Sequence, residues 1–227
     1  MKDPTATDPV QNSPSPEPDC QAPILPPKTW IHFVARWAIR PLVNTAVTPN
    51  QLTTVRLITA IMAAAAFAVG TAEWFFYGGW IFIVSAFFDR ADGELARLSR
   101  RTSPAGHAYD LVCDVLASTL AFIGIGIGLR EGPVGLWSVA MGLVAGLAIA
   151  VIFWVIELIR AAKNDGRHVY PTRGGFDPDD GLFLVGPIAW IGAQALWPLL
   201  IAAAIGAPLF AIWTAYRDRS VLFTRRS

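Results

Sequence analysis

Six long apolar runs dominate the chain, at roughly 52 to 70, 74 to 95, 107 to 129, 135 to 159, 181 to 196 and 198 to 216. A helix needs about 20 apolar residues to cross a bilayer. The pattern therefore predicts an all-α integral membrane protein with six transmembrane helices, the last two short and meeting near Pro198. Small residues recur inside the runs, as in the GIGIG of residues 124 to 128, and predict close helix packing. No soluble repeat or second domain is visible.

Ahead of the first run the pattern changes. From Lys28 to Val43, Trp30, Phe33, Val34 and Trp37 recur at helical spacing on one side, while His32, Arg36 and Arg40 step by four along another. Aromatics opposite cations suit an amphipathic helix in the membrane interface, basic face toward lipid headgroups; an ordinary packed surface helix is the alternative. Residues 1 to 29 hold eight prolines and no continuous apolar run, so they are expected to be a disordered tail and lack the apolar region of a signal peptide. The expected organisation is a tail over 1–29, an interfacial helix over 30–47, a six-helix catalytic domain over 48–217 and a basic cytoplasmic tail over 218–227.

Composition supports the membrane reading: 54% of residues are hydrophobic and 15% charged. The net charge of +1 gives no reason to expect nucleic acid as a partner. With the N-terminus in the cytoplasm, Lys28, Arg36, Arg40, Arg97, Arg100, Arg101, Arg160, Lys163, Arg167, Arg173, Arg217, Arg219, Arg225 and Arg226 all fall on the cytoplasmic side, and the opposite loops hold only Arg130. By the positive-inside rule both termini would be cytoplasmic, in a bacterial-type cell membrane. Cys20 lies in the tail and Cys113 within an apolar run, so both are expected as reduced thiols.

The chemistry is concentrated between Asp89 and Asp114, DRADGELARLSRRTSPAGHAYDLVCD. Residues three, four, seven and eight apart share a helix face. Asp89, Asp92, Gly93, Ala96 and Arg97 form one stripe; Gly106, Asp110 and Asp114 form a second, on a helix starting after the SRRTSPA break. If the stripes face each other, four carboxylates converge, and they stay ionised together only with positive charge among them. Hard oxygen ligands point to two Mg²⁺ or Mn²⁺ ions, and no Cys/His cluster suggests zinc. Gly93, Ala96 and Gly106 leave room for a ligand, and Arg97 is a cation suited to phosphate oxygens. The stretch reads as a metal-bridged diphosphate site.

The spacing D-x2-D-G-x2-A-R-x8-G-x3-D-x3-D resembles the signature of the CDP-alcohol phosphotransferase (CDP-alcohol phosphatidyltransferase) family, integral membrane enzymes of phospholipid synthesis. All eight positions are filled, by Asp89, Asp92, Gly93, Ala96, Arg97, Gly106, Asp110 and Asp114. The segment TPNQLTTVR at 48 to 56 is similar to the family's P-N-x-x-T element before the first span. The resemblance implies transfer of a substituted phosphate from a CDP-linked donor to an alcohol, with release of CMP. It implies Asp114 as the base, Asp89, Asp92, Asp110 and Asp114 as metal ligands, and Asn50, Thr53, Gly93, Arg97 and Ser103 as CDP-lipid contacts. Family members often form a homodimer, and the small-residue helix faces permit one.

Arg56, about two turns into the first run, is costly there unless it is paired, points into a polar cavity or snorkels back to the interface. The loop between the fourth and fifth runs mixes charges: Glu157 with Arg160 three residues on suits either a local ion pair or a substrate contact, and Arg160 and Arg167 are candidate acceptor-binding cations. An excess of basic residues between Glu157 and Arg173 favours a polyol or polyol phosphate acceptor with CDP-diacylglycerol as donor. The alternative within the family passes a CDP-linked amino alcohol to diacylglycerol or ceramide. From other classes, a transporter would show inverted repeats and broken helices near the midplane, and a non-catalytic scaffold would have no reason to keep a full carboxylate constellation. His107 adjoins Gly106 but falls off the required spacing.

Overall fold

The computed structural model describes residues 30–163 and 178–219. Every helix start that matters for the site is written in local chemistry. Helix α2 (Pro49–Val69) begins at Thr48, whose hydroxyl accepts from the Gln51 backbone N–H while the Gln51 side chain accepts from the Thr48 N–H, a reciprocal capping box with Pro49 in the first turn. It ends at Gly70, where φ is 86°. Helix α3 (Ala72–Leu98) follows after two junction residues, Gly70 and its own cap Thr71. Helix α4 (Pro104–Gly128) starts on Ser103, whose hydroxyl accepts from Gly106 N–H at 3.0 Å.

Before these, α1 (Trp30–Ile39) and a 3₁₀ turn (Arg40–Leu42) form the expected amphipathic element. Trp30, Phe33, Val34 and Trp37 are exposed and Ile31, Ala35 and Ile39 are buried, with α1 packed on α3. One expectation is corrected: His32 and Arg36 do not face outward to headgroups but turn onto the buried carboxylate of Glu94 in α3. A carboxylate inside a low-dielectric wall attracts the Arg36 cation more strongly than the solvated lipid surface does, and it lies within hydrogen-bond distance of His32. The expected tails, residues 1–29 and the end of 218–227, lie outside the described residues, as do Cys20 and most of the charged loop, Arg167 included.

Helix α5 (Trp137–Lys163), a 3₁₀ stretch (Pro178–Leu184), α6 (Val185–Ile191) and α7 (Ala193–Arg217) complete the described chain. Among the described residues four helices, α2, α4, α5 and α7, are long and apolar enough to cross a membrane. Helix α3 is as long as α5, at 27 residues, but carries Asp89, Arg90, Asp92, Glu94 and Arg97 toward its C-terminal end and Glu73 in its first turn. The fifth apolar run is shorter than its span, because its apolar helix covers only Gly181–Ile191. The break falls at Gly192, where φ is 95°, and not near Pro198, which α7 accommodates within its length together with Pro208.

Helix α2 is the centre of the bundle. It packs on both α3 and α4, α4 packs on α5, α5 on α7, and α6 covers α3. The GIGIG run explains how three helices meet so closely. Positions two apart point to opposite sides of a helix, so Gly124 and Gly128 lie against the α2 backbone at Ala64 and Phe67, whereas Gly126 lies against Ser138 and Gly142 of α5. A methyl group at any of the three would overlap a carbonyl of the neighbouring helix. The core these contacts enclose runs through Phe67, Phe75, Phe82, Phe122, Ile125 and Leu196. A smaller apolar cluster, Ile39, Leu52, Ala91 and Leu95, sits under the charged end.

Candidate active site

The two aspartate stripes meet across α2. Asp89 descends from α3, Asp110 and Asp114 from α4, and one carboxylate oxygen from each lies within 4.8 Å of the others. Arg56 of α2 rises between them. Its guanidinium is buried, with Nη1 2.9 Å from Asp89 Oδ1, 3.5 Å from Asp110 Oδ1 and in direct contact with Asp114 Oδ1. Of the readings open for Arg56, pairing is the one the structure realises. Arg90 contacts the other oxygen of Asp89. The helix-capping chemistry of Thr48 and Ser103 thus sets the register that aims α2 and α4 at the same point.

Asp92 is placed differently. Its carboxylate is 3% exposed, receives a hydrogen bond from Thr53 Oγ1 at 2.6 Å, and stands outside the group formed by the other three. Thr53 is thereby tied to a carboxylate as well as to the carbonyl of Pro49. Beside this pair opens a cavity of about 190 Å³ lined by Asn50, Thr53, Asp92, Gly93, Arg97, Ser103, Gly106 and Asp110. All five residues expected to contact the CDP-lipid border this one space. A methyl on Gly93 would meet nothing closer than the Arg97 guanidinium at 3.6 Å, so the protein's own packing does not demand glycine there. Gly106, by contrast, brings Ser103 and Asn50 close to the start of α4.

A second cavity, about 280 Å³, adjoins the first through Gly93, Arg97, His107 and Asp110 and is bordered by Asp89, Asp114, His32, Glu157 and Arg160. Glu157 pairs with Arg160 at 2.6 Å and also faces His107 Nε2 at 3.2 Å. The local ion pair and the cavity position are both realised. Lys163 ends α5 and Arg167 lies outside the described residues.

Sequence spacing missed Glu94, His32 and Arg90 and set His107 aside. Glu94 stands between Gly93 and Arg97 in the DGELAR run, off the motif's fixed positions. A charged residue three before Arg97 on a helix was the available signal. The free thiol of Cys113 is buried beside this region.

The donor set fits a hard divalent cation: three carboxylates from two helices converge on one point, and a positive guanidinium nitrogen already stands there. A family model described as CDP-alcohol phosphatidyltransferase matches residues 46–216. The chain belongs to this family. Its matched segment takes in α2 to α7 and leaves α1 outside. An archaetidylinositol phosphate synthase of Pyrococcus horikoshii is 32% identical over 89 residues, 39% of this chain and 46% of the relative. A bifunctional IPC transferase and DIPP synthase of Rubrobacter xylanophilus is 30% identical over 87 residues, 38% of this chain and 19% of that protein. The chain thus spans less than half the length of either curated relative. Among solved structures, the phosphatidylinositol phosphate synthase of Mycobacterium tuberculosis with CDP-DAG bound matches with a TM-score of 0.57, 19% identity and coverage of 82% of this chain and 94% of that one. The same enzyme in complex with manganese and citrate matches at 0.56, with 19% identity and coverage of 82% and 88%. At this identity the likeness establishes the family fold, a helical membrane bundle.

Proposed function

We propose that the protein transfers a substituted phosphate group from a CDP-linked lipid, CDP-diacylglycerol in the favoured reading, to a polyol or polyol phosphate, releasing CMP. The observation that carries this is the junction of the two cavities at Asp110: the Asn50–Ser103 space reaches Asp110, and the second cavity, which shares Asp110, is bordered by Asp89 and Asp114 as well. A diphosphate bridging the two spaces would place its cytidine side by Asn50 and Ser103 and its lipid-side phosphorus by Asp114.

Within that arrangement each side chain has a task. Asp89, Asp110 and Asp114 would hold Mg²⁺ or Mn²⁺, with Asp92 contributing from the cytidine side. Two such ions, when bound, would neutralise the diphosphate and favour departure of CMP. Arg97, reaching both cavities, would bind phosphate oxygens. The acceptor hydroxyl oxygen forms a bond to the lipid-side phosphorus, the bond from that phosphorus to the bridging oxygen breaks, CMP leaves with that oxygen, and the hydroxyl proton passes to Asp114. Arg160 and His107 on the second cavity supply donors for an acceptor carrying phosphate, and Arg167, seven positions after Arg160 in the sequence, is a further candidate. The relatives named as inositol phosphate synthases support this acceptor class. The positive-inside bias supports a cytoplasmic site with both termini on that side, and the small-residue helix faces are compatible with a homodimer.

The test is CMP release by the purified full-length chain in detergent with Mg²⁺ or Mn²⁺ and CDP-diacylglycerol, offered separately glycerol 3-phosphate, inositol, inositol 1-phosphate, serine and choline. Metal-dependent release with a polyol or its phosphate supports the reading. Release only with CDP-linked amino alcohols and diacylglycerol or ceramide would replace it with the reverse transfer.

A further inference from the structure

The inference concerns Glu94 and rests on the proposed CDP-binding role of Arg97. Glu94 is 1% exposed, in the charged end of α3, and it is not one of the three clustered carboxylates. Both of its oxygens are engaged. Oε1 accepts from Arg97 Nη2 at 2.6 Å and lies 3.0 Å from His32 Nδ1; Oε2 accepts from Arg36 Nε at 2.7 Å. Arg97 and His32 approach each other to 3.4 Å on the cavity side. One buried carboxylate therefore connects the interfacial helix to the arginine shared by both cavities.

A burial this complete is costly for a carboxylate unless its partners are fixed around it. The partners from α1 are fixed by packing, since Ile31, Ala35 and Ile39 are buried and α1 lies along α3. Arg97 is the most exposed of the three partners, its side chain 41% exposed, and an arginine left free samples many rotamers. Its pairing with Glu94 folds it back along α3 over Gly93, toward the space where phosphate would lie.

We propose that Glu94 is a positioning residue that holds Arg97 in its phosphate-binding orientation, and that α1 takes part in this through His32, which borders the second cavity, and Arg36, which holds the other oxygen of Glu94. The family match begins at residue 46, so this contribution comes from outside the matched segment. Ordering one rotamer-rich side chain ahead of binding is worth a few-fold to about tenfold in affinity.

The experiment measures CDP binding to the full-length protein in detergent with Mn²⁺, for the wild type, Glu94→Gln, Arg36→Ala, Arg97→Ala and the Glu94→Gln/Arg97→Ala double variant. Glu94→Gln is expected to weaken CDP binding roughly three- to tenfold, and Arg36→Ala to weaken it in the same direction. In the Arg97→Ala background, Glu94→Gln should have no further effect, a coupling that a general loss of stability would not produce. Arg36→Lys should restore binding lost in Arg36→Ala. Unchanged or tighter CDP binding in Glu94→Gln, or an equal loss with and without Arg97, overturns the proposal. Should Glu94→Gln fail to fold, unaltered binding in Arg36→Ala overturns it instead. A wild type that does not bind CDP overturns the transferase reading and this inference with it.

Discussion

Arg56 Nη1 and Asp89 Oδ1, 2.9 Å apart, join α2 to α3 at the point where α4 delivers Asp110 and Asp114. The guanidinium places a positive charge where three carboxylates would otherwise repel one another, and this lets the folded bundle hold them together. The Nε of Arg56 is buried without a hydrogen-bond partner, so the group is held by its terminal nitrogens alone.

Removing that charge leaves three buried or half-buried carboxylates facing one another. Arg56→Met should destabilise the metal-free protein by about 3 kcal/mol or more, the usual cost of breaking a buried ion pair from one side. Added Mn²⁺ should then raise the melting temperature of the variant more than that of the wild type, because a cation binding there replaces the lost charge. Thermal unfolding in detergent with and without Mn²⁺ measures both. An equal metal-induced rise in the two proteins would show that Arg56 and metal do not share the carboxylates.

Asp114→Asn keeps shape and hydrogen bonding but removes a proton acceptor. Turnover should fall at least about 100-fold, while CDP-lipid binding, which the other cavity provides, stays largely intact. CMP release paired with direct CDP binding separates the two. Wild-type turnover in the variant would take the base role away from Asp114.

Arg160 borders the second cavity but not the first. Arg160→Ala should therefore raise the KM of a phosphorylated acceptor by roughly tenfold or more, the worth of one charge-assisted hydrogen bond, with the KM of the CDP-lipid little changed. Steady-state kinetics with each substrate varied in turn check this. A rise confined to the donor KM would place Arg160 on the wrong substrate.

Gly124 has no room for a side chain against the Ala64 carbonyl. Gly124→Val should force α4 away from α2 and destabilise the bundle by about 1–3 kcal/mol. Since α2 and α4 carry Arg56 and Asp114, the displacement should reach the site, and metal-induced stabilisation should weaken along with the melting temperature. A substitution at Gly206, where an added methyl meets nothing, serves as the neutral comparison.

Much of this protein is local in origin, and those parts were legible in the chain. Apolar run length specified a helical membrane protein, of whose six expected spans four are long and apolar enough among the described residues, and spacings of three and four put Asp89 with Asp92 and Asp110 with Asp114 on single faces. The SRRTSPA break marked the start of α4 to within two residues of Pro104, where the structure begins it. The limit of α6 was misplaced because a continuous apolar run hides a break that depends on one glycine, Gly192, adopting positive φ, whereas Pro198 is absorbed inside α7.

The sequence by itself determined which residues share a helix face, because helical periodicity is a property of neighbours a few positions apart. Only the tertiary structure decided that the two aspartate stripes converge with Arg56 of α2 between them, that Asp92 turns to Thr53, and that His32 and Arg36 close on Glu94. These pairings join residues 39 to 62 positions apart. Such contacts are chosen by which helices can approach closely enough, and that is set by small residues such as Gly124 and Gly128 acting on the whole bundle.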